Sequence, residues 1–203
     1  MSDVFVSPSY RRDKLVSGSL EDEIDVFEDQ IEGWFLRFAR SISSDEHSGF
    51  AVLALVLSYF EALGYYLEGK AAGQSHEMFR SGLRSVVPSL RSVPSLAIDT
   101  LYGELRCGLY HEAAARPRVA IQRSGNPIDV SLTFGQSNLE SAVVDPWALL
   151  SCVERHFREY VATLRDQSQT EPRDRFRAVR NQRRAANPVT ITVIPWGPSS
   201  TFR

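Results

Sequence analysis

The chain has 203 residues, 43% of them hydrophobic and 24% charged, with a formal net charge of −2. That length is enough to bury a real core in one compact domain with tails, and the nearly balanced charge excludes a global electrostatic footprint for nucleic acid, so any RNA contact must be local. Its two cysteines, Cys107 and Cys152, lack the spacing of a disulfide framework or zinc site, and no charged-then-apolar signal segment opens the chain, which together predict a cytoplasmic protein. The longest unbroken apolar run, Phe50 to Leu57, is eight residues, against the roughly 20 that span a bilayer, so no membrane association is expected.

Residues 1–18 read as an N-terminal arm. From Leu20 the apolar residues Leu20, Ile24, Phe27, Ile31, Trp34, Phe35 and Phe38 recur three and four apart behind Ser19, which predicts a capped amphipathic helix. Glu21, Asp22, Glu23 and Asp25 crowd its first turns, where the helix dipole favours negative charge, so capping and solvation are their expected roles rather than metal binding. A second helix is expected from Ser43-Ser44-Asp45-Glu46, where Ser43 and Glu46 have capping-box spacing, to about Lys70. It is apolar nearly all round and should be central. Glu61 is the only charged residue between His47 and Glu68. It either meets a cation such as Arg106, because a buried carboxylate is costly without one, or lies on a narrow polar stripe with Ser58.

After a short helix at about 76–87 and a break containing Pro88 and Pro94, the next helix carries Ile98, Leu101, Tyr102, Leu105 and Leu109 on one face and is expected to end at Arg116-Pro117. Alternation at Val119 and Ile121, the turn Ser124-Gly125-Asn126-Pro127, and alternation again at Ile128, Val130, Leu132 and Phe134 predict a β-hairpin over about 119–134. Asp145-Pro146 then opens a helix with aspartate as cap and proline in the first turn, lined by Leu150, Val153, Phe157, Tyr160 and Leu164. The expected fold class is thus mainly α: a bundle of four to five helices over 19–166, with the hairpin inserted before the last helix. Residues 167–203 read as a basic, proline-containing C-terminal tail. Its arginines, Arg173, Arg175, Arg177, Arg180, Arg183 and Arg184, form either a solvated arm or a phosphate-tracking strip for RNA. Val189, Ile191 and Val193 alternate as an edge strand would.

No repeat and no glycine-rich phosphate loop occurs, and His47, His76, His111 and His156 are scattered without ligand spacing, so neither a cofactor nor a metal is expected. The segment Arg106-Cys107-Gly108-Leu109-Tyr110-His111 is the most informative of the chain. Arginine offers a permanent planar fork for phosphate oxygens, and histidine can carry protons to and from a ribose hydroxyl. On a straight α-helix five residues turn about 140° past a full turn, so this pair shares a face only if the helix loosens near Gly108 or two chains build the cleft. Cys107 and His111, four apart, do share a face. An activated thiol is one reading, and a small buried hydrophobe is the commoner one.

The phrase Leu101-Tyr102-Gly103-Glu104-Leu105-Arg106-Cys107-Gly108-Leu109-Tyr110-His111-Glu112 resembles the R-x4-6-H signature of the HEPN superfamily, small helical domains many of which are metal-independent ribonucleases of toxin-antitoxin and antiviral systems. The resemblance covers roughly Leu20 to Asp166 at the level of helix order. It implies RNA as substrate, a homodimer whose motifs face each other, and a regulatory protein partner such as an antitoxin. Carried over, Arg106 would bind the scissile phosphate and His111 would be general acid or base, with Glu61, Cys107 and Tyr110 in support. Cys107 stands where active members commonly have a polar residue. The alternative is therefore a catalytically inactive module of the same family that binds RNA or a protein, and a third reading makes Arg106 and His111 structural, as a partner of Glu61 and a helix C-cap.

Overall fold

Ten of the 20 residues of helix α3, Gly49–Glu68, are buried, and every other layer of the molecule is arranged around it. The structure is a computed structural model describing residues 5–135 and 137–186. In chain order it has α1 (Leu20–Ile31), a π-helical turn (Glu32–Leu36), α2 (Arg37–Ile42), α3, α4 (Ser75–Val86), a 3-10 turn (Pro88–Leu90) and α5 (Ser95–Leu101). A second π-helical turn (Tyr102–Cys107) runs into α6 (Gly108–Glu112), followed by β1 (Val119–Ile121), β2 (Ile128–Leu132), β3 (Leu139–Val144), α7 (Pro146–Arg165) and α8 (Thr170–Ala186). The fold is mainly helical with one small sheet.

The first helix starts where expected, with the Ser19 hydroxyl accepting from the Asp22 N–H at 3.1 Å. The arm before it is not loose from residue 5 onward. Gln30 donates to the Val6 carbonyl at 2.6 Å, and Pro8 lies so close over Gly33 that a Cβ there would meet its ring at 2.5 Å. The first-turn acids do more than cap. Lys14 bridges Asp22 and Asp25 and, with the Ser17 and Ser19 hydroxyls, holds Asp22 down at about 2, while Glu23 turns inward.

The expected capping box at Ser43 and Glu46 is not used. Residues 43–48 form turns, with the Asp45 carboxylate accepting from the His47 N–H at 2.8 Å, and α3 begins at Gly49 and ends on Gly69 in the left-handed region. By length and composition α3 is apolar enough to cross a membrane, but it is packed here as the central helix. Against α4 it comes to backbone distance through two reciprocal glycines. A Cβ on Gly64 would fall inside the Met78 carbonyl, and one on Gly82 inside the Phe60 carbonyl.

The helix after Pro94 also ends earlier than expected, at Glu112, because Ala113 adopts φ 55° and turns the chain back along its own helix. The hairpin expected over 119–134 is corrected more deeply. β3 lies between β1 and β2, parallel to the first (Val119 opposite Ala142) and antiparallel to the second (Ile128 opposite Val144). Asp145 explains why: its carboxylate accepts from Ser124 and Gly125, both at 2.9 Å, which ties the would-be hairpin turn to the start of α7 and leaves room for β3. The same carboxylate caps α7 through Trp147 and Ala148, as expected of Asp145-Pro146. Burial pushes its pKa up, but the four backbone N–H donors outweigh that and hold it low.

Residues 167–186, expected to be a basic tail, instead carry α8. Its Phe176 and Val179 are fully buried in the same core as α1, α3 and α7, with Phe176 stacked on Tyr66. The alternating stretch at 189–193 lies outside the described residues.

Candidate functional site

Arg106 projects from the π-helical turn toward the outer side of α3 and meets the Glu61 carboxylate at 3.1 Å, the cation that a carboxylate in this apolar helix requires. Both side chains keep about a quarter or less of their surface in solvent, at 25% and 20%. The guanidinium also lies over two rings of its own helix, 4.7 Å from the centre of Tyr110 and 5.6 Å from that of Tyr102. Tyr110 is anchored to α3 by donating to the Ala54 carbonyl at 2.5 Å, and Tyr102 sits edge-on to Phe79 of α4. Burial raises the pKa of both tyrosines, partly offset by the Arg106 charge. Arg106 is therefore a fixed cation with its plane oriented by one carboxylate and two rings.

His111 stands apart from this cluster. It is exposed on the last turn of α6, beside Glu112, and among the described residues no hydrogen bond or ion pair joins it to Arg106. The helix does loosen, as a π turn over Tyr102–Cys107 that contains Arg106, while His111 lies beyond it in α6. Gly108 has another task. The returning chain passes so close that a Cβ would meet the Ala114 carbonyl at 2.6 Å, and the Arg116 N–H reaches the Glu104 carbonyl at 2.9 Å. That fold-back fixes the end of the helix bearing His111. Cys107 is half-buried, against the Tyr102 hydroxyl and near Arg116.

The α8 arginines form no part of this cluster, and protein groups already engage them. Arg180 and Arg184 both hold Glu23, the former at 2.5 Å; Arg173 holds Glu21 at 2.7 Å; and Arg175 donates to the Leu67 carbonyl at 2.7 Å. Arg183 lies over Tyr66, and Arg177 meets Asp174 at 3.4 Å.

Sequence reasoning set His156 aside among the scattered histidines, and the structure gives it a defined place. Its Nδ1 lies 3.0 Å from the Tyr59 hydroxyl and its Nε2 2.8 Å from the Ser85 hydroxyl, linking α7, α3 and α4. Burial lowers the His156 pKa, so the ring is held neutral. A neutral ring that accepts from the buried Tyr59 hydroxyl at Nδ1 carries its proton on Nε2 and donates it to Ser85. In that arrangement the histidine cannot take the serine proton, and the chain of bonds is structural rather than nucleophilic. Its only signal in the sequence is a histidine on the apolar face formed by Val153, Phe157 and Tyr160. Compared with models of protein families, with curated proteins and with solved structures, the chain matches none.

Proposed function

We propose that the chain is a HEPN-type, metal-independent endoribonuclease that works in the cytoplasm as a homodimer and is held in check by a protein partner of the antitoxin kind. The observation carrying this reading is the fixed Arg106: a guanidinium oriented by Glu61, Tyr102 and Tyr110, with an exposed histidine one turn onward in the same helix. Arg106 grips the non-bridging oxygens of one phosphate. His111 accepts the proton of the ribose 2′-hydroxyl; the new O2′–P bond forms as the P–O5′ bond breaks, and the departing 5′-oxygen takes a proton from an imidazolium. The products are a 2′,3′-cyclic phosphate and a 5′-hydroxyl. No hydrogen bond or ion pair joins Arg106 to His111 among the described residues, and in this reading a second copy supplies the complementary half of the cleft.

The test is incubation of the full chain and of His111→Ala with labelled single-stranded and structured RNAs in EDTA. Cyclic-phosphate ends produced by wild type and lost in the variant support the reading; equal cleavage by both overturns it. A silent binding module is the second reading, favoured by Glu61 already neutralising Arg106 and by Cys107 beside it. It requires RNA or protein capture without turnover.

A further inference from the structure

Where α3 begins, an open groove of about 440 Å³ lies between three elements: Gly49 and Phe50 of α3, Ile121 at the end of β1 with Gln122 and Arg123 after it, and Trp147 in the first turn of α7. Two aromatic rings, Phe50 and Trp147, stand among its polar walls. The Arg123 guanidinium lies 3.8 Å above the centre of the Trp147 ring, and Phe50 keeps 44% of its surface exposed. The indole is fixed, its Nε1–H donating to the Ser43 carbonyl at 2.8 Å, so it makes a rigid platform. Gly49 lies at the floor, packed closely under Pro146 and Trp147; a Cβ there would meet them at 3.3 and 3.4 Å. Gln122 adds an exposed amide at the rim, able to donate and accept.

We propose that this groove holds one unpaired base of an RNA strand, stacked against Phe50 and the Arg123–Trp147 pair, which makes single-stranded RNA the substrate class. The inference rests on the ribonuclease reading of Arg106 and extends it. Aromatic and guanidinium planes accept any base by its face, and only an unstacked base can enter a concave site. The groove carries Glu46 beside His47 as well as Arg123, so its charges are mixed, and the stacking faces of Phe50 and of the Arg123–Trp147 pair favour a base over a phosphate. The groove is also in line with the motif. The outer stripe of α3 runs from Phe50 through Ala54, which accepts from Tyr110, to Glu61, which holds Arg106. Eleven residues of helix are about 16 Å along the axis, so one strand lying on this stripe reaches both places.

The test measures binding of three fluorescein-labelled probes in EDTA: oligoadenylate of 12 nucleotides, the abasic ribose-phosphate strand of the same length, and a 12-base-pair RNA duplex. Full-length His111→Ala is used as the parent so that no probe is cut. Phe50→Ala decides the matter, since it removes a ring and no charge. The expected result is oligoadenylate binding weakened about tenfold in Phe50→Ala, with the abasic strand and duplex unchanged. Arg123→Ala should weaken the oligoadenylate more than the abasic strand. Equal weakening of all probes by Phe50→Ala would assign the ring to the fold or to a subunit contact and overturn the groove. Oligoadenylate binding that responds to Arg106→Ala but not to Phe50→Ala overturns the groove while leaving the ribonuclease reading in place. Base-sensitive binding by a wild-type chain that cuts no RNA does the reverse.

Discussion

The two sides of α3 are built from the same apolar helix and do opposite work. Toward α4 it is fully buried, with Gly64 and Gly82 bringing the two backbones together beside the packed rings of Phe60 and Phe79. Toward α6 it is half-exposed and polar, with Glu61, Arg106 and Tyr110 sharing one surface. The contrast teaches that stability is concentrated where side chains have been removed, and chemistry where a charge is held on a surface that packing does not need.

Substituting Gly82→Ala strikes the first side hardest. The added methyl has no flexible neighbour to displace, only the Phe60 carbonyl, so a loss of about 3 kcal/mol or more is expected in chemical denaturation, and a change within experimental error would contradict the close contact. Next comes Glu23→Ala, which leaves Arg180 without its partner near the core; a loss of about 2 kcal/mol is expected, with α8 becoming protected more weakly in hydrogen exchange. If α8 protection is unchanged, the clamp contributes nothing.

The His156 relay gives a smaller, pH-dependent effect. Its folded pKa lies below the ordinary 6.5, so the unfolded chain binds the extra proton first. This group therefore costs no stability above about pH 6.5 and progressively more below it. The slope of Tm between pH 7.5 and 5 should flatten in His156→Gln; an identical slope in both proteins would remove the relay from the account. The smallest stability effect belongs to the second side of α3. Arg106→Ala should cost under about 1 kcal/mol, as for other partly exposed pairs, yet abolish RNA cleavage and weaken RNA binding. Full cleavage by that folded variant would end the phosphate-binding assignment.

Much of this contrast is legible in the residues themselves. The caps at Ser19 and Asp145 and the need of Glu61 for a cation follow from local spacing and from the cost of an unpaired carboxylate, whereas the Leu20 period holds only to Ile31: the π turn at Glu32–Leu36 shifts the buried face to Leu36 and Ala39 and leaves Trp34 and Phe38 exposed. The sheet order was not legible, because Leu139–Val144 is short, with small or polar residues among its apolar ones, and its place between β1 and β2 depends on Asp145 capturing a loop 20 residues away. Nor was α8. Two apolar residues three apart, Phe176 and Val179, are too weak a periodic signal among so many arginines, and their partners Glu21 and Glu23 lie about 150 residues earlier.

By itself, then, the sequence determined that the chain is mainly helical up to residue 166, which helix is central, and that Arg106 and Glu61 are complementary. Only the tertiary structure decided that the basic segment at 170–186 belongs to the core and that β3 lies between β1 and β2. Periodicity and capping act within a few residues of backbone, where sequence separation and distance in space are the same thing. Ion pairs, ring stacking and strand order act between surfaces that meet only once the chain has folded.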